Sequence, residues 1–318
     1  MAPMLSTFGG GSARGFNPGT SNPYAEAFAN REILQPTFSG SQTFYSSSLP
    51  FQTAGTAIPT GWTTNGKEIK FSSDGSKLYY NCYSGVTPAQ FSLSTPWDIT
   101  TASKDGDIVM NHGVAPMSAE TLIFDVAMDG YHILYGDREN LSVWKSSTQW
   151  DFDGSGTMTK VWDNFSTYVS DGLQCGGFTG DLTGIWIYGR SDDKLQRYTT
   201  ATELDYANLG TTPAYAGTGY TLGSNNYGMQ MSGDGDALLY NRYDGGGNNI
   251  VTQLSTSYDL RTFQDSTNAT FTTSSSVSSG NMGATLIRTG GLNSTAGRYY
   301  FVDSYGTGTI RQSTFTWR

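Results

Sequence analysis

The chain has 318 residues, with 18 Lys and Arg against 27 Asp and Glu and a formal net charge of −9. That acidic balance, without any run of Lys or Arg, excludes a surface built to neutralise nucleic-acid phosphate. Charged residues make up 14%, aromatics another 14%, and glycines number 40, which argues against a helical protein and for β-structure with many turns. No 18-residue apolar stretch occurs, so no helical membrane span is expected.

Residues 1–35 share nothing with the rest of the chain. They open flexible and Gly-rich, without the apolar core of a secretion leader. A short helix is expected over residues 24–34, where Ala25, Ala27, Phe28 and Ile33 are spaced for one apolar side. Phe8, Arg14 and Phe16 in a Gly/Ser setting, followed by Tyr24 and Phe28, suit an attachment arm that orders on another protein.

From residue 71 onward a unit recurs. The first copy carries "FSSDGSKLYYNCY" and then a "STPWD" corner ending at Asp98. Its Asp74-Gly75 pair supplies the positive φ of a tight reversal between two strands. The second copy has Asp129-Gly130 in the turn and Trp150-Asp151 at the corner; the third has Asp181 and Asp205; the fourth has Asp234-Gly235 and Tyr258-Asp259. A fifth, degenerate copy begins at Gly290. Successive turns are a little over fifty residues apart, with three evident strands per unit, which is the period of a propeller blade. The corner aromatics Trp97 and Trp150 are read as wedges between blades, and the turn and corner Asp residues as structural.

A fourth strand is expected between copies, over residues 105–110, 158–165, 207–215 and 269–277. The last, "ATFTTSSSV", is matched upstream by "TFYSSSL" at residues 43–49. That likeness predicts that Thr43, Phe44, Tyr45 and Leu49 belong to a strand that completes the last blade and so hides the sheet edges. The expected fold is all-β: a five-bladed β-propeller over residues 36–318, closed by an N-terminal strand and preceded by the arm. Blade boundaries fall near 50–110, 111–165, 166–215, 216–277 and 278–318. Cys82 and Cys175 then lie on non-adjacent blades and are not expected to bridge. Two Cys and two His do not make a zinc site.

The repeat "F-S-S-D-G-S-K-L-Y … F-S-L-S-T-P-W-D-I-T-T-A-S" resembles the propeller repeats of virion structural proteins of tailed bacteriophages, marine ones in particular. The opening "FGGGSARGF" is similar to N-terminal segments of phage virion and tail-appendage proteins. The resemblance spans residues 43–318 and is close only in the first copy. The third copy lacks the Gly after its turn Asp, and the fifth lacks the corner Asp. What the resemblance implies is a non-enzymatic virion component on the outside of the particle, tail rather than head, present in several copies. It would be attached to other virion proteins through residues 1–35.

Three other sites have candidate residues. In "DFDGSGTMT", Asp151, Asp153 and Ser155 stand at positions one, three and five of a calcium loop with Gly156 at six, but Trp162 replaces the bidentate Glu at twelve; no metal and no cofactor is expected. A glycosidase would need a carboxylate pair unique to its blades, and the non-repeating acids Glu68, Asp125 and Glu139 form no motif. The Tyr/Gly/Asn-rich residues 198–228 suit a recognition loop, which makes a host surface glycan a second candidate partner. The alternative readings are a head-surface decoration protein, a carbohydrate-binding host-recognition module and a propeller glycosidase.

Overall fold

The structure, a computed structural model, describes residues 52–53, 66–82, 87–108, 110, 123–136, 140–154, 156–165, 173–189, 194–210, 215–217, 226–232, 235, 237–242, 248–254, 256, 263–272, 281–288, 296–303 and 309–316. These residues are all-β, with two short 3-10 turns and no α-helix among them. A two-residue strand, β1 (Gln52–Thr53), comes first. Four antiparallel sheets follow, each built in chain order. The first holds β2 (Gly66–Phe71), β3 (Lys77–Cys82), β4 (Ala89–Leu93) and β5 (Ala102–Asp107). The second holds β6 (Ile123–Val126), β7 (His132–Gly136), β8 (Asn140–Ser146) and β9 (Met158–Phe165). The third holds β10 (Leu173–Phe178), β11 (Gly184–Gly189), β12 (Lys194–Thr199) and β13 (Tyr215–Gly217). The fourth holds β14 (Asn226–Met231), β15 (Ala237–Arg242), β16 (Asn248–Leu254) and β17 (Phe263–Thr272).

The fifth sheet is different. It joins β18 (Asn281–Arg288), β19 (Ala296–Asp303) and β20 (Thr309–Thr316) to β1, in the order β1-β20-β19-β18. Gln52 faces Gln312 and Thr53 faces Arg311. Gln52 and Thr53, inside the span expected for the first repeat, thus belong to the last sheet. The four residues expected in this role, Thr43, Phe44, Tyr45 and Leu49, lie outside the described residues. The first strands neighbour one another in a cycle: β2 by β6, β6 by β10, β10 by β14, β14 by β18 and β18 by β2.

Burial follows strand order. β6, β7 and β11 are buried along their whole length, so the apolar/polar alternation of a one-faced sheet is lost. β5, a fourth strand, buries only Ala102 fully. The fourth strands also depart from the sequence reading. β9 occupies its expected residues, whereas β13 begins only at Tyr215 because residues 206–208 are spent in a 3-10 turn after Asp205.

Turn and corner form one unit within each of the first three sheets. Asp74 accepts hydrogen bonds from the Ser72 hydroxyl and from the Ser76 amide and hydroxyl. Gly75 then takes φ 71°, and its carbonyl accepts the Trp97 amide at 3.0 Å. The Trp97 indole lies flat over this glycine: a Cβ on Gly75 would sit 2.2 Å from the ring. The second sheet repeats the arrangement, with Gly130 at φ 72° and its carbonyl 2.7 Å from the Trp150 amide. In the third sheet both partners change together. Leu182 (φ 56°) and Leu204 (φ 62°) replace Gly and Trp, keep the amide-to-carbonyl bond at 2.9 Å, and pack with Met128. The missing glycine of the third repeat is therefore the counterpart of its missing tryptophan.

This coupling is testable by urea unfolding. Gly130→Ala is expected to cost about 3 kcal/mol from steric overlap and a left-handed side chain together. In a Trp150→Leu background the same change should cost only about 1 kcal/mol, the conformational part alone. Equal costs in the two backgrounds would contradict the stacking.

Candidate functional site

Two of the contacts between sheets use the same device. Tyr79 on β3 and Gln90 on β4 stand opposite each other in the ladder. The Tyr79 hydroxyl donates to the Trp150 carbonyl at 2.9 Å, and Gln90 Oε1 accepts the Phe152 amide at 2.8 Å. Both acceptor and donor belong to the corner of the second sheet. Tyr300 on β19 and Gln312 on β20 form the same cross-strand pair. The Tyr300 hydroxyl donates to the Trp97 carbonyl at 2.5 Å, and Gln312 Oε1 accepts the Ile99 amide at 3.0 Å. The fifth sheet thus clasps the first as the first clasps the second. The corner Trp ring packs on its own turn, and its carbonyl makes the contact between sheets.

The fifth-to-first clasp carries extra charge. Arg298 Nη1 donates to the Trp97 carbonyl at 2.7 Å and to Gln312 Oε1 at 3.3 Å. Gln312 Nε2 donates to Asp98 Oδ1 at 2.8 Å, and Asp98 also accepts the Thr100 amide and hydroxyl. Burial by itself would raise the Asp98 carboxyl. The hydrogen bonds from Thr100 and Gln312, with the Arg298 charge, outweigh it and hold the group below its ordinary value. Burial pushes the Tyr79 and Tyr300 hydroxyls well above theirs.

The second-to-third contact is apolar instead. Leu134, like Tyr79 five residues after its turn Asp, stands opposite Val143. The corner residue Tyr206 packs its ring 4.9 Å from Phe178 and 5.1 Å from His132. The buried His132 is held by the turn carboxylate, with Nδ1 2.5 Å from Asp129 Oδ2. Ile99, Phe152 and Tyr206, each two residues past a corner, are all fully buried.

A second cluster lies on the first strands. β6 and β10 each pair on one side only, so their outer amides need other acceptors. Glu68 Oε2 takes the Phe124 amide at 2.9 Å, and Asp125 Oδ2 takes the Phe178 amide at 2.8 Å. Lys70 Nζ lies 3.5 Å from Asp125 Oδ1. All three side chains are buried: Glu68 is 3% exposed, Lys70 8% and Asp125 2%. Gly177 makes room, since a Cβ there would come within 2.8 Å of Asp125 Oδ2. Sequence reasoning found no motif in Glu68 and Asp125 and passed over Lys70. Their one legible signal was ionisable residues inside strands otherwise apolar. The arrangement caps edge amides and fastens β2 to β6 and β6 to β10.

Of the remaining expected sites, Asp151 and Asp153 flank the buried Phe152, and Ser155 lies outside the described residues. The positive φ of this loop falls at Gly154 (93°) rather than at Gly156. Among the described residues no group of three or more His, Cys, Asp or Glu is placed to hold a metal. Phe8, Arg14, Phe16, Tyr24, Phe28 and Asp234 lie outside the described residues. Cys175 on β10 is buried and forms no disulfide.

No known protein family matches the chain, and no curated protein resembles it. Solved structures do. A candidate 6-phosphogluconolactonase from Bacteroides uniformis is 13% identical over 78% of this chain and 70% of its own, with a TM-score of 0.39. The β-propeller domain of Myceliophteria thermophila Cps50 (Swd1) is 9% identical over 79% and 84%, with a TM-score of 0.40. A protein from Lactobacillus plantarum is 10% identical over 79% and 74%, with a TM-score of 0.42. At these TM-scores none of them bears on what this chain does.

Three outcomes follow for the site. Tyr300→Phe should lower the unfolding free energy by about 1–2 kcal/mol at neutral pH. Because the folded-state hydroxyl titrates above its unfolded value, stability should fall as pH rises past about 10, and less steeply in the variant. For Asp98, whose folded value is depressed, the stabilisation is present above the ordinary carboxylate range and lost below it; Asp98→Asn should flatten that acid limb in pH-dependent melting. Asp125→Asn leaves Lys70 buried without its counter-charge and should cost about 3 kcal/mol. Adding Lys70→Met should recover part of that loss.

Proposed function

We propose that the chain is a five-bladed β-propeller closed by an N-terminal strand, and that it serves as a non-enzymatic structural protein of a tailed-phage virion. It docks on other virion proteins through residues 1–35 and displays the propeller on the particle exterior, as a tail appendage or adaptor. The ring reading is supported by five four-stranded sheets whose first strands are cyclic neighbours, and by the same Tyr–Gln clasp at the first-to-second and fifth-to-first contacts. The phage reading rests on the repeat and the "FGGGSARGF" opening described above.

One observation carries the non-enzymatic part. The buried charges Glu68, Lys70 and Asp125 are engaged in sheet-to-sheet contacts, and Asp74, Asp98 and Asp129 in turns and corners. Acid–base catalysis needs ionisable groups aimed at a substrate; these are aimed at backbone amides, hydroxyls and each other. A scaffold whose described buried charges are engaged internally suits display.

Deletion of residues 1–35 tests the assignment. The truncated chain should keep its β-sheet circular dichroism and its Tm to within a few degrees, while failing to co-sediment with particles assembled in its presence. Incorporation of the truncated chain would remove the arm from the account. Hydrolysis of host polysaccharide by the purified full chain would remove the non-enzymatic reading. Particle labelling over the capsid would shift the protein to head decoration.

A further inference from the structure

Asn81 on β3 is fully buried, yet among the described residues neither its Oδ1 nor its Nδ2 has a hydrogen-bond partner. An amide side chain carries two donors and an acceptor oxygen. Taking all of them out of water unmet is strongly unfavourable. The direction of the side chain follows from the strand. Asn81 lies two residues beyond Tyr79, so the two share the face that meets the second sheet. Glu68 stands opposite Asn81 in the β2–β3 ladder, and its Oε2 reaches across to the Phe124 amide of β6. The Asn81 amide and the Glu68 carboxylate therefore point into the same space between the first and second sheets. The second sheet has a matching pair. Ile123 and Gly136 lie two residues from Asp125 and Leu134, as Glu68 and Asn81 lie two from Lys70 and Tyr79. Ile123 fills its own seam: its Cδ1 comes within 3.3 Å of where a Cβ on Gly176 of β10 would sit. β6 also packs more closely on β10 than on β2. The place that is apolar and filled in one seam is polar and roomier in the other.

We propose that Asn81 and Glu68 hold ordered water in the seam between the first and second sheets. One molecule accepts from Asn81 Nδ2 and donates to the Glu68 carboxylate, whose two oxygens together have more acceptor sites than the Phe124 amide uses. Asn81 Oδ1 accepts from a second molecule in the same space. Polar partners converging from two strands are what a buried water requires, and the cross-strand placement of Glu68 and Asn81 supplies them. The seam is then fastened in two ways. Tyr79 and Gln90 bond directly to the corner of the second sheet, and two residues farther from that corner the contact runs through water.

The test uses the full chain. A crystal structure at a resolution that orders solvent should show water density within hydrogen-bonding distance of both Asn81 Nδ2 and the Glu68 carboxylate. Density that refines as an ion, a dry space, or an Asn81 amide bonded to protein would each overturn the proposal. In solution, with nitrogen-labelled asparagine, rotating-frame cross-relaxation should link the Asn81 Nδ2 protons to water that tumbles with the protein, with a sign opposite to that of proton exchange. No such cross-peak would count against the site. Stability gives a third reading. A dry, unmet amide would be relieved by Asn81→Leu, and Tm would rise by more than about 3 °C. A hydrated amide has nothing to gain from that change, so Tm should stay level or fall. Should Asn81→Leu fail to fold, the native chain's crystal structure and cross-relaxation still decide.

Discussion

The corner peptide between the third and fourth strands is the constraint on which the rest depends. It must pack against the neighbouring sheet to bury Ile99, Phe152 or Tyr206, and in doing so it takes a carbonyl and an amide out of water. Buried unpaired, such groups cost more than a hydrogen bond returns. A tyrosine hydroxyl and a glutamine carbonyl, set opposite each other on adjacent strands, supply the missing donor and acceptor at the required separation. That solution occurs twice with the same residue types, at positions more than two hundred residues apart in sequence. It ties the last sheet to the first with the geometry that ties the first to the second.

Where the polar clasp is absent, the substitutions are concerted. The second sheet offers Leu134 and Val143 in place of Tyr and Gln, and the corner it receives has Leu204 in place of Trp. The turn under that corner has lost its glycine as well. A left-handed leucine costs about 1–2 kcal/mol, which the Leu182–Leu204–Met128 contact offsets by apolar burial. The inner strands solve a related problem with charge. Their outer amides face the next sheet rather than a ladder partner, and Glu68 and Asp125 accept them. The buried ionic groups on the first strands are thus explained by backbone accounting, and this is why they give no support to hydrolytic chemistry.

The sequence displayed the turns and corners because both depend on local chemistry. Asp-Gly at positive φ and an Asp that caps the following turn are readable without knowing any distant contact. The Gly–Trp stacking was not readable, since the two residues lie some twenty positions apart and only the fold brings them together. Glu68, Lys70 and Asp125 were missed for the same reason: each carboxylate serves an amide on another sheet. The N-terminal closing strand was legible only in part: Gln52 and Thr53 pair with the last sheet, and Thr43 to Leu49 lie outside the described residues. "TFYSSSL" and "TFTTSSSV" are alike in composition, but exposed fourth strands tolerate many Ser/Thr-rich sequences, so likeness there does not fix alignment. The clasp fixes it, through Gln312 opposite Gln52.

The most direct measurement is native-state hydrogen exchange at two amides, Ile99 and Phe152. Each is accepted by a glutamine from the neighbouring sheet, one at the fifth-to-first contact and one at the first-to-second. If the last sheet holds the first as the first holds the second, both amides should exchange only through opening close to global unfolding, with similar protection. An Ile99 amide that exchanged through local fraying while Phe152 stayed protected would contradict a ring fastened at its seam.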